Sequence, residues 1–157
     1  MAEKLNSMRL LEQQKVTYVA REFPDSIHSA DGVADYFELS HKMVYKTLVV
    51  LTSAKKPCLV MVAGNHALNL KALAKAIGQK KVHMAAHKEA ERLTGLQTGG
   101  ISALALSHKN YSVYIDESVL QLERVLVSAG KRGVNVELTV TDLMKITKAK
   151  AVACADR

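Results

Sequence analysis

Two strongly β-forming runs lie almost end to end in this chain, at residues 44–52 and 58–63, separated only by "SAKKP". A link that short admits one connection between strands, an antiparallel hairpin, because a parallel crossover needs about a dozen residues or more. Both runs are nearly continuous in Val, Leu, Met and Thr, the mark of strands covered on both faces.

One residue disturbs this pattern. At period two, Val44, Leu48 and Val50 share one face, and Tyr45, Thr47, Val49 and Leu51 share the other. Lys46 falls on the first face, among the aliphatic residues. Two readings fit it. Its stem can pack on the sheet while the amine reaches the edge, or the side chain can line a pocket. There, partial desolvation would position its charge for a substrate oxyanion or carboxylate.

The remaining pattern alternates elements of both kinds. A short amphipathic helix is expected over residues 3–14 from Leu5, Met8 and Leu11, and a strand over 15–20. After the turn-rich stretch 23–32, a helix is expected over 33–40 with Ser29 or Asp31 as its cap. A further helix over 69–81 has Leu70, Leu73, Ala74 and Ile77 as its stripe, Asn69 as its cap and Gly78 as its stop. Strands are expected at 81–85, 111–115, 124–128 and 134–139 and finally at 151–155, with helices at 87–95 and 139–150. This order predicts one α+β domain over residues 1–157, with a curved, mixed but mostly antiparallel, barrel-like sheet and surrounding helices.

Composition narrows the function classes. Hydrophobic residues make up 48% and charged residues 24%, which excludes a disordered chain, while 4% aromatics and no Trp require an aliphatic core. The net charge of +7 favours an anionic partner. Basic clusters at Lys55–Lys56, Lys71/Lys75, Lys80–Lys81, Lys131–Arg132 and Lys145/Lys148/Lys150 suit recognition of a folded RNA by shape and charge. Scarce aromatics argue against a single-strand stacking platform. Cys58 and Cys154 have no metal or redox spacing, so a reduced, intracellular chain is expected. The N-terminal segment has no apolar signal core and no run approaches membrane-spanning length. A cytoplasmic protein with no membrane association is the expectation, and a monomer the default.

Chemistry-bearing candidates are few. "TGGIS" at 98–102 places two glycines between a helix and a strand, where backbone N–H groups can approach a ligand. No GxGxxG or P-loop is present, so no nucleotide cofactor is expected. His83, His87 and Glu91 are four apart, but the first falls in an expected strand, which breaks a helical zinc set, and no metal is expected. No G-x-S-x-G elbow or Cys–His pairing stands out, so an enzyme of this sequence would lack its own covalent nucleophile.

Four stretches in order, "VYKTLVV", "LNLKALAKAIGQKKVHMA", "ERLTGLQTGGIS" and "VLVSAGKRGVNVEL", closely resemble the YbaK/EbsC-type family. That family includes bacterial Cys-tRNA(Pro) deacylases and related trans-editing domains of prolyl-tRNA synthetase type, and the similarity runs from about residue 8 to about 152. The resemblance implies an editing domain that hydrolyses mischarged tRNA, usually tRNA(Pro), without a metal or cofactor, with prolyl-tRNA synthetase as a candidate partner. It makes Lys46 the catalytic residue. It assigns Gly99, Gly100, Ile101 and Ser102 to the aminoacyl pocket, with amides near Gly100 and Ile101 assisting the oxyanion. For cysteine substrates the implied attacking group is the substrate's own thiol; for others it is water. The resemblance departs at three positions: Ala103 stands where the family has proline, Phe23 where it has tyrosine, and Asn135 where it has an acidic residue. These changes bear on which amino acid is removed, and they motivate the alternative of a catalytically silent tRNA-binding or synthetase-associated module.

Overall fold

A computed structural model describes residues 4–156, and the two β runs form its central hairpin. Along the chain lie α1 (Asn6–Gln13), β1 (Val19–Glu22), α2 (Ala30–Tyr36), β2 (Tyr45–Thr52), β3 (Pro57–Ala63), α3 (Leu70–Ala76) and β4 (Val82–Met84). Then follow α4 (His87–Thr94), β5 (Ser112–Asp116), β6 (Arg124–Lys131), β7 (Val134–Thr139), α5 (Val140–Thr147) and β8 (Lys150–Val152). Short 3-10 helices occur at His41–Met43, Ser107–Lys109 and Glu117–Gln121.

The strands form a five-stranded sheet of order β4-β2-β3-β5-β8 and a three-stranded sheet of order β1-β7-β6. The pairs β2–β3, β2–β4, β1–β7 and β6–β7 are antiparallel, while β3–β5 and β5–β8 are parallel. The expected α+β class and mixed, mostly antiparallel pairing hold. The curved sheet is divided, however: its two parts meet at a bridge between Val44 and Leu126 and do not close into a barrel.

Side-chain alternation sends the hairpin into two cores. Tyr45, Val49, Leu51, Leu59 and Met61 face the main core, with Ile115, Val125, Val127, Val136, Leu138 and Leu143. Val50, Cys58, Val60 and Val62 face the other way, onto Leu73 and Ala74 of α3. Leu59, Met61 and Ile115 are at most 1% exposed, and burial of each such side chain contributes about 2–3 kcal/mol. Val44 and Leu126, where the sheets touch, pack in a third cluster with Phe23, Val33 and Ala34.

Caps and stops decide the helix ends. Asn69 accepts from Ala72 N at 2.9 Å to start α3, and Gly78 at φ +74° follows its end. Ser29 rather than Asp31 caps α2, accepting from Gly32 N at 3.0 Å. That cap moves α2 three residues ahead of the expected 33–40, and Glu38 at φ +55° lies beyond its end. The strand expected at 15–20 begins at Val19, after Lys15 turns the chain at φ +59°. Pro57 is the first residue of β3, a position that needs no donor. The expected first helix reaches back to residue 3, which lies outside the described residues.

A buried carboxylate fastens the C-terminal segment. Asp116, 0% exposed, accepts from Cys154 N at 3.0 Å and Ala155 N at 3.1 Å through Oδ1, and from Ser118 N at 3.1 Å through Oδ2. Ser118 lies in turn 2.6 Å from the hydroxyl of Tyr45, the residue before Lys46.

Candidate active site

Where two sheets diverge from a shared bridge, the gap between them widens faster than side chains can fill it. Past the Val44–Leu126 bridge, β2 runs into the five-stranded sheet and β6 into the three-stranded one, and a cavity of about 310 Å³ occupies the wedge. That volume suits a small ligand or one terminal group of a larger one. Lys46, Thr47 and Leu48 of β2 line it, with Ser128 of β6 and Asn135 of β7. Phe23, Ile27 and His28 cover it from the segment leading into α2, Asp31 from the first turn of α2, and Met84, His87 and Ala90 from the β4–α4 region. Thr98, Gly99 and Ile101 complete the wall.

Lys46 thus lines a cavity and is half-buried there, and no ion pair or hydrogen bond engages its amine among the described residues. Across the wedge, Ser128 and Asn135 are direct partners in the β6–β7 ladder, so their side chains share the cavity face. Asn135 is 5% exposed, and its amide makes no hydrogen bond among the described residues. Ser128 Oγ accepts from Gly130 N at 3.2 Å. The same sheet face carries Glu137, held by Arg21 at 2.6 and 2.9 Å and by Arg124 at 2.9 Å. Burial alone would raise its pKa, but the two guanidinium groups outweigh that and lower it.

The glycine-rich segment is pinned at Thr98. Its N–H donates to Glu91 Oε2 at 2.8 Å, and its carbonyl accepts from Arg132 Nε at 2.6 Å. The Thr98 amide, with help from Arg132 nearby, holds the Glu91 carboxyl below its ordinary range. Gly99 has φ +91° and faces the cavity beside His28. Gly100 does something else. Its N–H donates to Gln97 O at 2.8 Å, and its Cα lies so near the β6–β7 turn that a Cβ would sit 2.9 Å from Arg132 N.

Of the residues singled out from sequence, the cavity gathers Lys46, Gly99, Ile101, Phe23 and Asn135. Gly100, Ser102 and Ala103 lie behind its wall. Ser102, 1% exposed, accepts from Ala105 N at 3.1 Å, and Ala103 is a main-core residue. His83 falls on β4, apart from His87 and Glu91 on α4. Asp31, His28 and Ser128 were not foreseen as site residues, whereas Thr98 lay in the glycine-rich stretch singled out at 98–102. Asp31 and His28 carried only a local cap and turn signal, and Ser128 only its place in an expected strand, because the tertiary fold is what brings them to one cavity with Lys46.

Asp31 has a defined setting. Its Oδ1 lies 2.8 Å from His41 Nδ1, whose Nε2 lies 2.7 Å from Asp35 Oδ1. Two carboxylates on the two ring nitrogens favour the imidazolium, and the bonds to Asp35 and Asp31 raise the pKa of His41. Gly64 permits the close approach: a Cβ there would stand 2.9 Å from Asp31 Oδ1 and 2.8 Å from Ala30 Cβ.

Comparison with known proteins gives this geometry a family. Residues 25–146, which contain nearly the whole cavity lining, match the model described as "Aminoacyl-tRNA editing domain". The chain belongs to the aminoacyl-tRNA editing domain family. This editing domain is 37% identical over 150 residues to the Enterococcus faecalis protein named "Putative Cys-tRNA(Pro)/Cys-tRNA(Cys) deacylase EbsC", covering 94% of the chain and 91% of that protein. It is 29% identical over 135 residues to the proline–tRNA ligase of Pediococcus pentosaceus, matching 82% of the chain and 23% of the ligase. Its fold superimposes on the crystal structure of "a putative trans-editing enzyme for prolyl tRNA synthetase" with a TM-score of 0.82 at 22% identity, covering 99% of this chain and 100% of that one.

Proposed function

We propose that this editing domain is a deacylase that hydrolyses mischarged tRNA in trans, with tRNA(Pro) as the acceptor and Lys46 as its catalytic residue. The observation that carries the reading is a lysine, without an ion pair or hydrogen bond among the described residues, lining a cavity of about 310 Å³ in a member of this family. An aminoacyl ester is already activated, so positioning the carbonyl and stabilising its oxyanion can supply much of the rate. The aminoacyl group enters the wedge between β2 and β6–β7, and Lys46 faces the carbonyl oxygen or the terminal ribose.

Water, or the thiol of a cysteinyl substrate, attacks the carbonyl carbon. The ester C–O bond breaks, and the ribose oxygen leaves with a proton. Water yields the free amino acid, and thiol attack yields its thiolactone. No serine or threonine hydroxyl of the cavity is hydrogen-bonded to a histidine among the described residues, which supports attack from outside the protein. Phe23 and Asn135 contact the bound aminoacyl group from the cavity wall, whereas Ser102 and Ala103 act by packing the loop. The chain acts as one domain and a monomer in the cytoplasm, with prolyl-tRNA synthetase as a partner; the match to a segment of a proline–tRNA ligase supports that partnership.

The test is deacylation of tRNA(Pro) charged with Cys, Ala, Ser or Pro by the wild type and Lys46→Ala. Cleavage of at least one mischarged species is expected, with a fall of about 100-fold or more in the variant. Full activity in Lys46→Ala would remove its assigned role. Salt-sensitive tRNA binding without cleavage of any species would make the chain a silent tRNA-binding module instead.

A further inference from the structure

An aminoacyl ester carries a positive α-ammonium within two bonds of the reacting carbonyl carbon, and a cavity that binds it must meet that charge. Lys46 is the wrong sign. Asn135, Ser128 and Thr98 are neutral, and His28 and His87 offer no negative charge. Asp31 is the only carboxylate among the cavity's described lining residues.

We propose that Asp31 is the substrate-amine recognition residue, its carboxylate receiving the α-ammonium of the aminoacyl group while Lys46 meets the carbonyl end. This inference rests on the deacylase reading and adds a specificity determinant to it. Three features build the site. Oδ1 of Asp31 is engaged by His41, which orients the carboxylate, while Oδ2 accepts no hydrogen bond among the described residues. The Asp31–His41–Asp35 group keeps one net negative charge with the imidazole protonated, so the orienting bond does not cancel the attraction. Finally, Gly64, on the loop that follows β3, leaves room where any side chain would push Asp31 away. No ion pair joins Asp31 to Lys46 among the described residues, so both charges are available to opposite ends of one ligand.

The arrangement makes a free α-amine a requirement. Aminoacyl groups with a blocked amine, such as formylated or acetylated ones, lose the contact and place an amide against a carboxylate.

Calorimetric binding to the full chain tests this, using non-hydrolysable 3′-aminoacylamino-3′-deoxyadenosines carrying Cys, Ala, Ser or Pro and their N-acetyl counterparts. Asp31→Asn retains the acceptor oxygen for His41. It should weaken the best free-amine probe about tenfold and leave its N-acetyl form within about twofold. A variant that only loosened α2 would weaken both forms alike, and that result would overturn the inference. So would a wild type that binds both forms equally, or an Asp31→Asn protein that still prefers the free amine; either leaves the deacylase reading standing. Failure of the wild type to bind any probe would overturn the cavity's assignment to aminoacyl groups and this inference with it.

Discussion

Gly100→Ala tests the physical arrangement of the site without touching a group that meets substrate. Gly100 is buried and its φ lies outside the left-handed region, so its backbone conformation suits alanine. The cost is purely steric. A Cβ would stand 2.9 Å from Arg132 N, 3.0 Å from the Lys131 carbonyl carbon and 3.2 Å from Lys131 Cα. These are backbone atoms of a tight turn, and they cannot swing aside as a long side chain would. Nor can the turn retreat easily, because a Cβ on Gly133, at φ +86°, would already stand 2.9 Å from Phe23 O. Relieving the contacts needs shifts of several tenths of an ångström, an overpacking cost of about 2 kcal/mol. For a domain of this size that lowers Tm by about 4–8 °C. The displaced segment also carries Thr98 and Gly99, so deacylation should fall beyond what the stability loss explains. Gly95→Ala is the control: φ is +73° with nothing within 4 Å of a Cβ, so only conformational strain applies, about 1 kcal/mol. Thermal unfolding and deacylation rates of the two variants decide the matter. A Gly100→Ala protein whose Tm stays within about one degree of wild type would refute the close approach.

Two further outcomes follow from buried charge. Glu137 has a lowered folded pKa, so its contribution is present above its ordinary value of 4.5 and is lost as pH falls through the folded value. Glu137→Gln should cost about 2 kcal/mol at pH 7 and flatten the acid limb of urea-midpoint against pH; an unchanged acid limb would contradict the ion-pair account. Asp116→Asn replaces an acceptor facing backbone N–H groups with an amide that must turn its NH₂ toward one of them. It should cost about 2–3 kcal/mol and speed hydrogen exchange at Cys154 and Ala155, and exchange rates equal to wild type would show that the C-terminal segment is held by other contacts.

Local chemistry was legible in the sequence wherever neighbours along the chain decide the outcome. The β2–β3 hairpin follows from a link too short for a crossover, and α3 from its stripe, Asn69 cap and Gly78 stop. Lys46 was visible as a charge out of phase with its strand, because period-two alternation is a property of the strand itself. Where two local signals competed, sequence did not decide: Ser29 and Asp31 were both candidate caps for α2, and only the fold frees Asp31 to face the cavity.

Tertiary structure alone determined which residues meet Lys46. Ser128 and Asn135 line its cavity through β6–β7 pairing more than 80 residues along the chain, and the two sheets, joined at the Val44–Leu126 bridge, leave the wedge between them. The same holds for "TGGIS". As sequence, both glycines read as ligand-facing backbone; in the fold Gly99 faces the cavity, while Gly100 is the point where the loop presses on Lys131 and Arg132. Glycine at both positions is a local fact, but its reason is a contact with a distant turn, and periodicity and propensity carry no information about such a contact.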